Sequence, residues 1–328
     1  MNSFGTIFKV TLYGESHQKA IGIVLDGMPA GIKVNHELIE EDLSKRKSQA
    51  IGTTKRVEKD EYQITSGVFN GFTTGSPIHV MIENLDTKSK DYENLVNHPR
   101  PGHADFVSSV KYKGFQDYRG GGRFSGRLTA SLVIAGSFAK MMLPYTFSYE
   151  LKSVGKCTDM TKLDQYIEEV VANKDSVGGI IEVRVKGINP GLGEPFFGKV
   201  ESLIGQMLFS IPAVKGVEFG TGFQGVHLLG SEFNDVIIDS NGTTKTNHSG
   251  GINGGITNGN DLLIKVFMKP ASSIGVPLET YHFKHQKIET LKIEGRHDSA
   301  IVRRAGIVLE NAVAIVLADL YLLNKAMQ

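Results

Sequence analysis

Thirty-eight of the 328 residues are glycine, and they gather in runs at 119–126, 220–230 and 250–259 instead of spreading evenly. Glycine lets a backbone take left-handed turns and approach other groups closely. Clustering of this kind therefore predicts a scaffold held by many tight turns and not a low-complexity chain. Between the runs, β-branched and alternating segments predict strands over 21–26, 78–82, 179–186, 214–219, 235–238 and 261–268. Apolar periodicity predicts helices over 37–46, 125–142, 162–172, 198–210 and 300–326. Asn241-Gly242 reads as hairpin punctuation, and strands and helices do not alternate regularly. The expected fold class is α+β with antiparallel sheets, not a doubly wound parallel sheet. No linker stands out, so residues 1–328 are expected to form a single domain.

A hydrophobic content of 40% against 22% charged residues supplies a large core and argues against disorder. The net charge of +1 offers no global field for nucleic acid, so any anion site must be local, as at the cationic clusters 45–47 and 119–127. Cys157 is the only cysteine, which excludes an internal disulfide framework and any multi-cysteine metal site. The N-terminus lacks the basic-then-apolar order of a signal peptide, and a cytoplasmic protein is expected. The apolar stretch 305–323 is interrupted by Glu310, Asn311 and Asp319, which predicts a buried helix and no membrane span.

Three short stretches place an imidazole or carboxylate beside glycine: Gly14-Glu15-Ser16-His17, Arg100-Pro101-Gly102-His103-Ala104-Asp105 and Gly295-Arg296-His297-Asp298. Turns on a rigid scaffold are where catalytic groups tend to sit. The run Arg119-Gly120-Gly121-Gly122-Arg123-Phe124-Ser125-Gly126-Arg127 adds an anion-binding candidate, with free N–H groups at a helix start and three guanidinium groups. The alternative is a glycine loop whose arginines cap carbonyls or pair with Asp117. The run matches neither a P-loop nor a dinucleotide fingerprint. His17 and His103 each have a carboxylate nearby, Glu15 and Asp105, able to hold an imidazole cationic for proton donation. Asp298 reads either as a helix N-cap or as a proton acceptor oriented by Arg296. The other histidines, among them His98, His282 and His285, have no compelling chemical setting, and no metal site is expected. Gly122-Arg123-Phe124-Ser125 and Gly295-Arg296-His297-Asp298-Ser299 each open a long apolar helix; an internal pseudo-repeat and chance resemblance both fit.

With Asn84-x-Asp86-x-x-Ser89-x-Asp91-Tyr92, Gly191-Leu192-Gly193-Glu194-Pro195, Gly250-Gly251-Ile252-x-Gly254-Gly255-Ile256 and Lys269-Pro270 in the same order, the whole chain resembles the chorismate synthase family. The resemblance implies a β-α-β sandwich of antiparallel sheets around helices, assembled as a homotetramer. It implies a carbon–oxygen lyase of the shikimate pathway, in aromatic amino acid biosynthesis. The reaction would be the anti-1,4-elimination of phosphate from 5-enolpyruvylshikimate 3-phosphate to chorismate, with reduced FMN and no net redox change. The same resemblance assigns His17 to the departing phosphate, His103 to the reduced flavin ring and Asp298 to the deprotonation near flavin N5. For FMN it assigns Arg123, Phe124, Ser125, Pro212, Ala213, Gly254, Lys269, Pro270, Ala271, Ser272, Ser273 and Arg296, and for substrate or NADP it assigns Arg46. No reductase domain is visible, so an external flavin reductant is expected in place of self-reduction with NADPH; no nucleic acid or membrane partner is expected. The chain departs from the pattern at Gln18, where the family has glycine, at Lys45-Arg46-Lys47-Ser48-Gln49, where it has more arginine, and at Leu128. Lysine cannot reproduce a bidentate arginine–phosphate contact. The other readings are a flavin-dependent lyase for another phosphorylated cyclic acid and a non-catalytic FMN-binding assembly.

Overall fold

The computed structural model describes residues 1–47, 50–54, 60–85, 89–293 and 297–328. In chain order its longer elements are β1 (Lys9–Gly14), β2 (Ala20–Asp26), α1 (His36–Arg46), β3 (Tyr62–Ser66), β4 (Ile78–Glu83), α2 (Asp105–Lys111), α3 (Thr129–Met142) and β5 (Thr146–Val154). There follow α4 (Leu163–Ala172), β6 (Gly179–Lys186), α5 (Val200–Ser210), β7 (Val214–Phe219), β8 (Leu262–Met268), the hairpin β9 (Leu278–His282) and β10 (Lys287–Leu291), and α6 (Val302–Met327).

One antiparallel sheet runs β1-β2-β4-β3, with the short strand Ser3–Phe4 added outside β1. The other runs β7-β8-β6-β5, also antiparallel. Alternation decides which face each sheet hides: Ile78, Val80 and Ile82 of β4, and Leu262, Ile264, Val266 and Met268 of β8, are all buried. Between the sheets lie the helices. α3 packs on β1, β2 and β4, α6 packs on β5 and β6, and the two helices pack on each other. Burying both inner sheet faces and both helices yields a continuous apolar cluster from Phe8 to Leu320. The layers are those of a β-α-β sandwich.

α6 is long and apolar enough to cross a membrane, yet 83% of its apolar window is buried within the protein. Its three polar interruptions explain why it belongs there. Asp319 accepts the backbone N–H groups of Thr6, Ile7 and Phe8 at 2.8, 2.7 and 2.9 Å, fixing the start of the first sheet. Glu310 pairs with Lys140 of α3 at 2.5 Å, and the same ammonium pairs with Asp42 of α1 at 3.0 Å. Asn311 donates to that Asp42 at 3.1 Å. Buried polar groups are tolerated when each finds a partner, and these three tie α6 to the sheet and to both neighbouring helices. The helices approach closely where Gly136 faces Asn311, since a Cβ at 136 would lie 2.3 Å from the asparagine Cβ.

The strands expected at 179–186 and 214–219 are found with those bounds, and those at 21–26, 78–82 and 261–268 shift by one residue at one end. The strand expected at 235–238 is absent. Val236, Ile237 and Ile238 are exposed, and Ile237 makes only an isolated bridge to Thr244 around the Asn241-Gly242 turn, so β-branched composition there has no sheet to join. α3 begins at Thr129 and not at 125, because Gly126–Leu128 forms a 3-10 turn capped by the Ser125 hydroxyl. α6 begins at Val302.

Candidate active site

The glycine run before α3 is the hub of the site. Gly120, Gly121 and Gly122 take left-handed φ values of 58°, 78° and 50° in succession, a path open to glycine and costly for other residues. That path brings backbone against two imidazoles. A Cβ at Gly120 would stand 2.0 Å from His17 Nδ1 and Cε1, and one at Gly121 would stand 3.5 Å from His103 Nε2. The two histidines, 86 positions apart in sequence, therefore pack against adjacent residues of a single turn.

His17 lies in the loop between β1 and β2, and the loop is stapled from several sides. Ser16 N–H donates to Gly122 O at 3.2 Å. Asn84 Nδ2 donates to Glu15 O at 3.0 Å and to Gln18 O at 2.9 Å, while Asn84 Oδ1 accepts from Arg127 Nε at 3.1 Å. Gln18, the departure from the family pattern, donates its side-chain amide to Asp117 Oδ2 at 3.0 Å and so ties this loop to the glycine run. Tyr92 presents its ring edge-on to the His17 imidazole, with centroids 5.3 Å apart.

His103 sits in the turn that leads into α2. Its Nδ1 lies 2.6 Å from Asp105 Oδ1 and 3.0 Å from Arg100 Nη2. A guanidinium can only donate and a carboxylate only accept, so the shorter contact assigns the Nδ1 proton to the Asp105 bond. Nε2, the nitrogen beside Gly121, is left to exchange protons with a ligand. Arg100 also grips Asp105 through Nε at 2.7 Å and Nη2 at 2.8 Å, and reaches Ser273 Oγ at 2.9 Å. Burial pushes the Asp105 carboxyl up, but its bonds with Arg100 and His103 outweigh that and hold it well below the usual carboxylate range. The stability this carboxylate contributes is present above its ordinary value of 3.8 and is lost as pH falls through that value toward its lower folded one. Asp105→Asn is expected to flatten the loss of stability below about pH 5; denaturant titrations at pH 6 and pH 3 that show equal losses in both proteins would contradict it.

The 269–273 segment closes one side. Lys269 Nζ bonds to Gly102 O and to Ser272 Oγ (2.9 Å for the latter), Ser272 Oγ donates to Gly102 O at 2.8 Å, and Lys269 N–H donates to Ala213 O at 2.9 Å. Ala271 O accepts from Ser176 Oγ at 2.7 Å, which holds the segment after Pro270 in place. Ala213, after Pro212, has φ +72°, a left-handed conformation for a residue with a side chain. Burial and the charge of Lys215 push the Lys269 ammonium below its usual value. Two cations held near each other favour an anion between them. Phe124, beside Ser125, exposes its ring at the narrow cleft that His103, Gly121 and Tyr118 also line.

The arginines are committed within the protein. Arg119 pairs with Asp117 at 2.7 Å, Arg127 with Asp60, and Arg123 donates to Leu12 O at 2.7 Å, Gly14 O at 3.2 Å and Asn2 Oδ1 at 2.9 Å. Arg46 is buried, donating to Thr129 Oγ1 and Gly126 O at 3.0 Å each and lying 3.5 Å from Asp60. It braces the glycine turn through Gly126. Lys45 turns away to Glu41 at 2.8 Å. Gly254 has φ +63° in the Ile252–Thr257 hairpin, which leans on the 193–200 segment through Val200 N–H and Gly255 O.

Asp298 is not an N-cap, since α6 starts four residues later with Ile301 at the cap. Its Oδ1 accepts Thr54 N–H at 2.6 Å, and Arg304 Nη1 approaches Oδ2 at 3.0 Å. Arg304 Nε reaches Arg46 O at 3.1 Å, so Asp298 is linked through Arg304 and Arg46 to Gly126. The orienting cation in view is Arg304, one turn into α6; Arg296 and Gly295 lie outside the described residues. The starts of α3 and α6 are thus tied together through Arg304 and Arg46. Arg100, Arg304 and Asn84 are the structural partners that sequence reasoning did not single out. Arg100 and Asn84 stood inside quoted motifs, whereas Arg304 carried no signal beyond its charge.

The family model described as chorismate synthase matches residues 8–322. A chorismate synthase of Chitinophaga pinensis is 51% identical over 327 residues, covering 99% of this chain and 98% of its own. That of Pyrococcus abyssi is 42% identical over 347 residues, covering 98% of each. A crystal structure of chorismate synthase superposes with a TM-score of 0.75 at 27% identity, covering 98% of this chain and 93% of that one.

Proposed function

The chain belongs to the chorismate synthase family and is a lyase, and from this premise we propose that it eliminates phosphate from 5-enolpyruvylshikimate 3-phosphate with the aid of reduced FMN. The observation that carries the reading is the packing of His17 and His103 against consecutive glycines of one left-handed turn. The residues present fit a flavin mononucleotide. The paired cations Lys269 and Lys215 suit its phosphate, the strained Ala213 and the open left-handed Gly254 suit close backbone approach, and Phe124 and Ser125 stand beside His103. When bound, reduced flavin supplies the electron density that carbon–oxygen cleavage demands and recovers it, which leaves the net reaction redox-neutral.

The chain's own residues supply the rest. A phosphate dianion leaves poorly unless protonated or neutralised, and His17, fixed by Tyr92 and the Asn84 staple, is the donor at the departing oxygen. His103 exchanges a proton at Nε2 while Asp105 and Arg100 hold its ring. Asp298, with Oδ1 engaged by Thr54 N–H and Oδ2 steadied by Arg304, assists the deprotonation near flavin N5 that makes room there for the C6 hydrogen. Arg46, assigned to substrate or NADP, also holds the turn in shape through Gly126 and Thr129.

The same reading makes residues 1–328 one domain, as the continuous core supports, in a cytoplasmic enzyme fed by an external flavin reductant. The exposed Phe196, Phe197, Phe223, Val226 and Leu229 support assembly as a homotetramer, because isolated subunits rarely leave so much apolar surface to water. The test is anaerobic: purified protein, chemically reduced FMN and 5-enolpyruvylshikimate 3-phosphate, following chorismate absorbance and free phosphate. Equal, flavin-dependent release of both is expected. Absence of product despite tight FMN binding would overturn the proposal, and turnover with NADPH and oxidised FMN would overturn the external reductant.

A further inference from the structure

We propose that His282, His285 and Glu289, at the tip of the β9–β10 hairpin, form a binding site for a divalent transition-metal ion of the zinc class. The antiparallel register sets His282 opposite Lys287 and Thr280 opposite Glu289, so these side chains share one face of the hairpin. The turn then folds back on that face: Gln286 takes φ +54° and donates its N–H to His282 O at 2.8 Å. This lays the His285 ring flat on that of His282, with centroids 3.8 Å apart and planes 5° from parallel. Among the described residues this is the group of histidine and carboxylate side chains whose ligand atoms converge, all within 4.8 Å of one another.

Two nitrogens and one carboxylate oxygen are the donor set of zinc and its first-row neighbours, whereas magnesium and calcium take oxygen. Donors on one such ion lie at most about 4 Å apart, so small rotations of exposed side chains bring these three into range. Stacked imidazoles repel each other when both are cationic, and the 3.0 Å bond between His285 Nδ1 and Glu289 Oε2 is one the ion would replace. Glu289 is ionised, its carboxyl held down to about 2 by Lys287 and His285. The Lys287 ammonium, 2.9 Å from Glu289, already occupies the place of a cation and competes with one. His282 Nδ1 exchanges for the metal a hydrogen bond of 3.2 Å from His285 N–H.

The hairpin is docked, not free. Phe283 stacks on Phe106 of α2 at 5.4 Å and donates its N–H to Asn97 O at 2.8 Å, and the buried His98 ring lies 4.8 Å behind His282. An ion here would stiffen the support of the segment that leads to Arg100 and His103, although none of the three ligands belongs to the catalytic cluster.

Calorimetric titration of the full-length, flavin-free protein with zinc chloride tests the site. One ion per chain with a micromolar dissociation constant is expected, not displaced by equimolar magnesium. His285→Ala and Glu289→Gln should each weaken it at least tenfold, and the His282→Ala/His285→Ala pair should remove it. Lys287→Met should tighten it several-fold, since the competing ammonium is gone. Unchanged binding in the double variant, or weaker binding in Lys287→Met, would overturn the proposal.

Discussion

Replacing Gly120 by alanine is expected to stop turnover about as completely as removing His17 itself. A methyl group there would stand 2.0 Å from two atoms of the His17 ring and 2.9 Å from Ser16 Oγ, far inside contact distance. The left-handed φ of 58° adds roughly 1 kcal/mol of backbone strain for any residue with a side chain. Backbone on one side and the Tyr92 ring on the other leave the imidazole no small adjustment, so it must swing out of place. Loss of a positioned proton donor costs about 10²–10⁴ in rate. Gly120→Ala and His17→Ala are therefore expected to fall together, and the double variant to fall little further, because both changes remove the same group. FMN affinity should survive in both, since Lys269, Ser272 and Ala213 are untouched. Anaerobic chorismate formation with saturating reduced FMN, alongside flavin binding by fluorescence, is the measurement. Near-normal turnover in Gly120→Ala would remove the His17 geometry from the mechanism.

The second large effect belongs to Asp298. Alanine there deletes the proton acceptor and leaves Thr54 N–H and Arg304 without their shared carboxylate, so a fall of about 10²–10⁴ in turnover is expected with flavin binding nearly intact. Asp298→Asn separates the two losses. The amide oxygen still accepts Thr54 N–H and the shape is kept, but an amide does not take a proton, so turnover should remain as low as in the alanine variant. Arg304→Ala keeps the carboxylate and removes its cation. Its turnover should fall less than in Asp298→Ala, because the carboxylate stays and only the guanidinium that orients its Oδ2 is lost. Asparagine at 298 with wild-type turnover would show that the position is structural.

Much of this was legible in order along the chain. The glycine run announced a turn only glycine could make, and two of the imidazoles beside glycine, His17 and His103, are found packed on that turn. The strands β6 and β8 were visible because apolar residues run through most of their length. β5 was not, because its outer face carries Ser148, Glu150 and Lys152, and exposed polar residues dilute the pattern that marks a strand. The exposed run Val236-Ile237-Ile238 misled in the opposite sense, since β-branched residues favour a pleated surface only where a neighbouring strand exists to pair with.

What the sequence alone determined is the inventory: which residues can donate or accept protons, where the backbone must turn left-handed, and that α6 would be buried despite Glu310, Asn311 and Asp319. Only the tertiary structure decided the partnerships. Along the chain nothing tells what Asp298 and Arg46 touch; the structure puts Thr54 N–H and Arg304 on the Asp298 carboxylate and sets the Arg46 guanidinium on Gly126 O beside Asp60. His282, His285 and Glu289 carry no distinction along the chain, yet a single left-handed residue at Gln286 folds them onto one face. The physical reason is the same in each case. Local conformation follows from sterics within a few residues, while charge pairing depends on distances set by packing elements remote in sequence.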